Sequence, residues 1–219
     1  MAKQVLIVGL GRFGMSLGRA LADRGVDVLG LDVDQDRVEA AAALFAGALC
    51  LDATNEEALA RASPANRDVC VCAIGDDSRD ASILCTAPLR QLGARRVIAR
   101  TNEPLQSRIL MLVGAHEVVN PINEFGRRLA DQLVYDRLVG EMPLGDDVVV
   151  VELHPPRNFI GKTLAELRLP QRFRVTVIAL RRAEQNDVVV PEASEVIDPG
   201  DILVVVARKG ATEKLLEQE

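Results

Sequence analysis

The chain has 219 residues, enough for one large domain or two small ones. Its hydrophobic content is 48%, but aromatics make up only 3% and Trp is absent, so any core must be aliphatic and Ala-rich. A net charge of −6 argues against a broad electrostatic grip on nucleic acid or anionic lipid. The paired cations Arg95-Arg96, Arg127-Arg128 and Arg181-Arg182 read as solvated faces or interface contacts. No apolar run approaches the ~20 residues needed to cross a bilayer. Met1-Ala2-Lys3-Gln4 leads straight into a strand pattern and lacks a signal-peptide layout, so a cytosolic protein without membrane insertion is expected.

The first apolar run, Val5-Leu6-Ile7-Val8, is followed by Gly9-Leu10-Gly11-Arg12-Phe13-Gly14 and then by a helical pattern. Strand, glycine-rich turn and helix together form the context a dinucleotide fingerprint requires. Gly9 permits the tight turn, Gly11 lets backbone approach a pyrophosphate, and Gly14 lets the helix pack close to the sheet. The new helix aims its unpaired N–H groups and positive dipole end at the phosphates. The second apolar run, Val28 to Leu31, ends in Asp32, at the interval expected for an acid that accepts from ribose hydroxyls. Asp34 suits the cap of the next helix better, which leaves Asp32 for ribose. A carboxylate there disfavours a ligand with a 2′-phosphate.

Residues 4–119 alternate between strand patterns (4–8, 26–31, 47–51, 68–74, 95–100 and 117–119) and helical ones (12–24, 35–45, 55–62, 78–92 and 104–113). Near-continuous Val, Ile, Leu and Cys in the strands predicts a parallel sheet covered on both faces. Asp52-Ala53-Thr54-Asn55 reads as a loop ending in a helix cap, and Pro88 predicts a kink or break in its helix. An amphipathic helix from about 123 to 138 carries Phe125, Leu129, Leu133 or Val134, and Leu138; its stripe packs on another subunit or folds back over its own sheet edge.

Residues 140–147 read as a linker of turn formers. Beyond it, strands at 148–154, 174–182, 187–190 and 202–208, with short helices at 161–167 and 210–217, predict a small α+β domain. A unit of that size has little core and gains stability by pairing with a second copy. Gly161-Lys162-Thr163 fails as a phosphate loop because Pro156 stands where the first Gly is required. Of the cysteines, Cys70 and Cys72 share a strand face, no second ligand pair appears, and His116 and His154 are isolated. Reduced, buried thiols are expected, with no metal site.

The expected organisation is therefore α/β: a Rossmann-like parallel sheet with helices on both faces over residues 1–139, a linker, and an α+β domain over 148–219.

The chain resembles the RCK or KTN family of cytosolic regulators of bacterial Trk/Ktr potassium uptake systems. The resemblance rests on Gly9 to Gly14 with Ser16, on Leu31-Asp32-Val33-Asp34, on Asp52-Ala53-Thr54, on Ala73-Ile74-Gly75, and on Pro121 with Gly126-Arg127-Arg128-Leu129-Ala130. Ile160 to Leu164 and Pro199 to Val205 match the second domain. The resemblance implies an adenine-nucleotide sensor, taking ATP or ADP with NAD(H) as a further option, and no catalytic residues. Gly9, Gly11, Arg12, Phe13 and Gly14 would cradle phosphates, with Arg12 reaching a terminal phosphate of its own or a neighbouring subunit. Asp32 would hold ribose, and Asp52, Ala53 and Thr54 would line the adenine and ribose side. Ile74 and Gly75 would border the crevice. Arg100 would reach phosphates or remain a solvated loop residue. The implied partners are a membrane potassium channel and further copies of the chain, as dimers in an octameric ring at the inner face of the membrane. Relatives with a bridging cation carry a carboxylate after the Pro121 position, where this chain has Ile122; Glu124 is the nearest acid. Two other readings stay open on the residues: an NAD-dependent oxidoreductase, and a regulator of a different ion transporter.

Overall fold

The computed structural model describes residues 2–75, 78–183 and 187–216. It divides into two compact units, Met1–Asn123 and Glu124–Glu219. In the first, β1 (Gln4–Val8), α1 (Arg12–Ala22), β2 (Asp27–Asp32), α2 (Gln35–Ala42), β3 (Gly47–Cys50) and α3 (Glu56–Ala60) follow in turn. Then come β4 (Val69–Cys72), α4 (Arg79–Gln91), β5 (Val97–Arg100), α5 (Pro104–Leu112) and β6 (Glu117–Val119). The strands form one sheet in the order β3-β2-β1-β4-β5-β6, and every pairing is parallel. This is the doubly wound arrangement the alternating pattern predicts, with its switch in strand order between β1 and β4.

Both faces of the sheet are covered, and alternate residues go to opposite sides. Leu6, Val8, Cys70, Cys72, Val97 and Ala99 pack with Leu59, Cys85, Leu89 and Leu110. Val5, Ile7, Val28, Val69 and Val71 pack with Leu10, Val38, Ala41 and Phe45. Local chemistry fixes the helix starts. The Asp34 carboxylate accepts from the amides of Asp36 and Arg37, at 3.0 and 3.3 Å. Asn55 accepts from Ala58 at 3.1 Å and takes the cap at α3, while Thr54 turns back to Asp52.

Pro88 does not break its helix: α4 runs from Arg79 to Gln91 with Pro88 inside. Cys85 and Leu89 are fully buried on either side and anchor the helix to the core. Leu84, whose carbonyl loses its partner, is 56% exposed on the solvent side, where water can replace the missing donor. Cys70, Cys72 and Cys85 are buried free thiols, as expected, but Cys50 is exposed. Burial pushes the Cys70 thiol up to about 12, and the hydrogen bond to Cys72, then burial, holds Cys85 well above the ordinary thiol range.

The second unit contains most of α6 (Pro121–Val134), then β7 (Leu138–Pro143), β8 (Val148–Leu153), α7 (Leu164–Leu167), α8 (Leu169–Phe173), β9 (Val175–Arg181), β10 (Val188–Val189), β11 (Ile202–Arg208) and α9 (Glu213–Leu216). Residue 217, expected at the end of the last helix, lies outside the described residues. The sheet order is β10-β9-β11-β8-β7, all antiparallel. Residues 140–143, expected in a linker, instead pair with β8, and Leu138, expected to end the long helix, is buried in β7. Backbone pairing with β8 outweighs the weak local propensity of Gly140 and Pro143 here, an ordinary tertiary override. The core is also larger than the length suggested. Val149, Val151, Leu153, Leu203 and Val205 line one sheet face and meet Phe159, Leu167, Leu169, Phe173 and Leu215. Helix α6 buries none of its residues. Ile122, Phe125, Leu129 and Leu133 form an exposed apolar stripe along it.

One part-buried charge network, with Asp201 at its buried end, ties the 195–201 segment to the end of β9. The Arg182 guanidinium forms an ion pair with Glu195 and donates to the Val196 carbonyl at 3.0 Å, to Asp198 at 3.2 Å and to Asp201 at 2.6 Å. Asp201 is 1% exposed, and Arg182 is the cation that faces it. Removing one member of a buried pair strands the other. Arg182→Met is expected to destabilise the C-terminal unit by about 3 kcal/mol, read by urea unfolding. Asp201→Asn in the same background should recover part of that loss.

Candidate functional site: a nucleotide crevice

The glycine turn is built from three positions with different constraints. Gly9 has φ +95°, and a Cβ there would lie 2.9 Å from the Ile74 amide nitrogen. At Gly14 a Cβ would lie 1.9 Å from the Gly9 carbonyl oxygen, so α1 starts against the end of β1 with no room for a methyl group. Gly11 is different: a Cβ there would meet nothing within 4 Å. Packing inside the protein gives no reason for glycine at that position, whereas a ligand lying across the turn would.

Gly11 is also the N-cap of α1, and it offers no side chain to the free amides of the first turn. That turn contains no acidic residue, so the positive end of the helix is left uncompensated. Arg12, its first residue, is exposed, with no hydrogen-bond or ion-pair partner among the described residues. A cation is disfavoured at this helix end, so the position suits an anion contact better than it suits the helix.

Asp32 is 7% exposed and is already engaged. Its Oδ2 accepts from the Leu10 amide at 2.6 Å and its Oδ1 from the Asp34 amide at 3.0 Å. The expectation of a carboxylate left free thus needs correction: Asp32 pins the glycine turn to the end of β2. Each carboxylate oxygen has a second lone pair, so a further donor can still be accepted. Arg37 stands 3.6 Å from Asp32 and 3.4 Å from Asp34, a cation the sequence reading did not single out. The signal available was its position three residues after the capping Asp34.

The remaining candidates come to the same edge. Asp52 follows β3, and its Oδ1 accepts from both the Thr54 amide at 2.9 Å and the Thr54 hydroxyl at 2.7 Å. The Thr54 hydroxyl, then its amide, hold the Asp52 carboxyl below its ordinary value, so it is charged at neutral pH. Ala53 is buried in the core behind them. Ile74 and Gly75 follow β4. Arg100 ends β5; its guanidinium carbon lies 5.3 Å from the centroid of the Phe13 ring, and its Nη1 is 3.9 Å from where a Cβ on Gly75 would be. The Arg100 Nε is buried with no hydrogen-bond partner.

Gly9, Asp32, Asp52, Ile74 and Arg100 therefore stand at the carboxyl ends of five neighbouring strands, on the edge where open α/β sheets bind ligands. The donor set fits a phosphate: free helix amides, an unpartnered guanidinium N–H and an open approach over Gly11. Among the described residues no group of three His, Cys, Asp or Glu side chains could hold a metal ion. No helix among them is long and apolar enough to cross a membrane.

Comparison with known proteins agrees with this architecture. The chain is 31% identical over 206 residues to the Ktr system potassium uptake protein C of Bacillus subtilis (strain 168), spanning 94% of this chain and 92% of that protein. It is 32% identical over 204 residues to the Ktr system potassium uptake protein A of Vibrio alginolyticus, spanning 93% and 92%. Among solved structures, the GsuK channel bound to NAD superposes with a TM-score of 0.65 at 20% identity, covering 100% of this chain and 40% of that one, a likeness of fold. The TrkA-N domain model matches residues 5–121 and the TrkA-C domain model residues 148–218. The chain thus belongs to the TrkA family, with a TrkA-N domain followed by a TrkA-C domain.

Proposed function

We propose that this chain is the nucleotide-sensing regulatory subunit of a potassium uptake system, binding ATP or ADP at the glycine turn, with NAD(H) a further ligand. The observation that carries the reading is the apposition at the phosphate edge: open space over Gly11, an acid-free helix start, and the orphaned Arg100 Nε. Two relatives named as potassium uptake proteins, similar over nearly their whole length, support the partner. The NAD-bound channel of the same fold supports the ligand class.

The pyrophosphate lies over Gly11 and accepts from the first amides of α1. Asp32 takes a ribose hydroxyl while keeping Leu10 in place, and the 52–54 loop borders the adenine side. Arg100 reaches the shared phosphates. Arg12 forks onto the terminal phosphate, its own subunit's or a neighbour's. The exposed stripe of α6 pairs with a second copy, and dimers close into a ring that docks on a membrane potassium channel from the cytoplasmic side. Nucleotides act by preferring one ring shape over another, and a ligand shifts that balance only by its difference in affinity for the two. The γ-phosphate supplies the difference, and no turnover is required.

Gly11→Val should abolish nucleotide binding in calorimetry at a smaller cost in melting temperature than Gly14→Ala, because a Cβ at position 11 meets nothing within 4 Å. Gly14→Ala should lower the melting temperature as well, since its Cβ collides with backbone. Arg12→Ala should weaken ATP by about 1.5–3 kcal/mol, the range for a hydrogen bond to a charged group, and ADP by less. Reconstituted with its channel, the protein should give different potassium flux in ATP and in ADP, with different solution-scattering profiles. Equal flux and equal scattering would overturn the switch. A monomer by light scattering, with and without ATP, would overturn the ring.

A further inference from the structure

Behind the phosphate edge runs a chain of buried polar side chains that nucleotide binding does not itself touch. Ser82 on α4, Thr101 after β5 and Gln106 on α5 are 0%, 2% and 5% exposed. The Thr101 hydroxyl donates to the Gln106 Oε1 at 3.0 Å and accepts from the Glu103 amide at 3.1 Å. Gln106 Nε2 then donates to the Ser82 hydroxyl at 3.2 Å, and the Thr86 hydroxyl donates to the Ser82 carbonyl at 2.7 Å. The Thr101 amide is bonded to the Val119 carbonyl at 3.1 Å. An ion pair between Arg79 and Glu103 joins the starts of the same two helices at the surface.

Buried polar groups are costly unless satisfied, and this interface between α4, α5 and β5 is otherwise aliphatic. What a satisfied network adds over apolar packing is a single geometry, because its bonds are directional. The residue whose geometry it sets is Thr101, directly bonded along the chain to Arg100. Arg100 in turn rests its guanidinium on Phe13, and its Nε is buried without a hydrogen-bond partner.

We propose that Ser82, Gln106 and Thr101 are positioning residues for Arg100, fixing the end of β5 so that its guanidinium is aligned for the phosphates before ligand arrives. The inference rests on the phosphate role given to Arg100 above. It adds that the preference for longer phosphate chains is set partly from the far side of the sheet, by residues that contact no ligand. An arginine held at both its ring contact and its backbone loses little freedom on binding, and preorganisation of that kind appears as affinity. If the anchor is cut, Arg100 still carries its charge but must be ordered by the ligand.

The test is a calorimetric series with AMP, ADP and ATP on the full-length protein. Its readout is the ratio of the AMP to the ADP dissociation constant. Thr101→Val removes only the hydroxyl and should reduce that ratio about fivefold, a coupling of ordinary size for residues in one network, while AMP affinity stays within about twofold. Thr101→Ser should restore it. Ser82→Ala, at the other end of the chain and with a smaller side chain, should move the ratio the same way and serves if Thr101→Val folds poorly. Arg100→Ala should lower the ratio at least as far, and in that background Thr101→Val should add nothing.

An unchanged ratio in Thr101→Val and Ser82→Ala, with Arg100→Ala still sensitive, would overturn the positioning chain alone. Equal weakening of AMP, ADP and ATP in Thr101→Val would also overturn it, because that marks a contribution to folding only. An unchanged ratio in Arg100→Ala would overturn the phosphate role of Arg100 and the positioning inference with it. Absence of any nucleotide binding by the native protein would overturn the nucleotide-sensing function itself.

Discussion

The structure depends on how closely α1 approaches the end of β1. A Cβ at Gly14 would lie 1.9 Å from the Gly9 carbonyl, so the helix begins where only hydrogen atoms fit. That contact fixes the direction of the helix and so where its free amides point. Asp32 locks the arrangement from the side, drawing the Leu10 amide to 2.6 Å. A buried carboxylate needs donors, and the turn supplies one. The same residue thus joins β2 to the glycine turn. A site with so little slack suits a ligand read by backbone as well as by side chains.

From that edge, two features lead outward. Arg100 stands on Phe13 and connects the turn to β5. Behind β5, the Thr101 hydroxyl bonds into Gln106 and Ser82 and thereby reaches α4 and α5. The exposed side of those helices carries Leu84, Leu105 and Leu112, which are 56%, 68% and 86% exposed. The glycine turn, a cation and a buried polar chain therefore follow one another from the carboxyl edge of the sheet toward α4 and α5. Separately, α6 leaves Phe125 and Leu133 in solvent, and burying such side chains is worth roughly 1.5–3 kcal/mol each.

Much of this was legible in residue order. Strand, turn and helix at the N-terminus were readable because Gly9 and Gly14 each answer a local steric demand. The cap at Asp34 followed from the preference of short acids for helix starts. Pro88 and the segment 140–143 were misread for a common reason: local propensity is a weak term that buried neighbours outvote. Cys85 and Leu89 hold the helix across Pro88, and β8 recruits Gly140 to Pro143 into a ladder. The size of the C-terminal core was likewise underestimated, because length limits core volume only loosely when one face of a five-stranded sheet is fully covered.

By itself the sequence determined the alternating order of strands and helices, the parallel sheet, the glycine turn and the acid at the end of β2. These follow from periodicity, glycine sterics and capping, all of which act within a few residues. Only the tertiary structure decided that Asp52, Gly75 and Arg100 meet the turn at one edge. Parallel strands with right-handed crossovers bring all their carboxyl ends together, whatever the separation along the chain. Only the fold could show that Asp32 is engaged with Leu10, that Arg100 rests on Phe13 with its Nε unpaired, and that Gln106 bridges two hydroxyls in the core. Those contacts join segments far apart in sequence, and no local pattern encodes a distance between two such points.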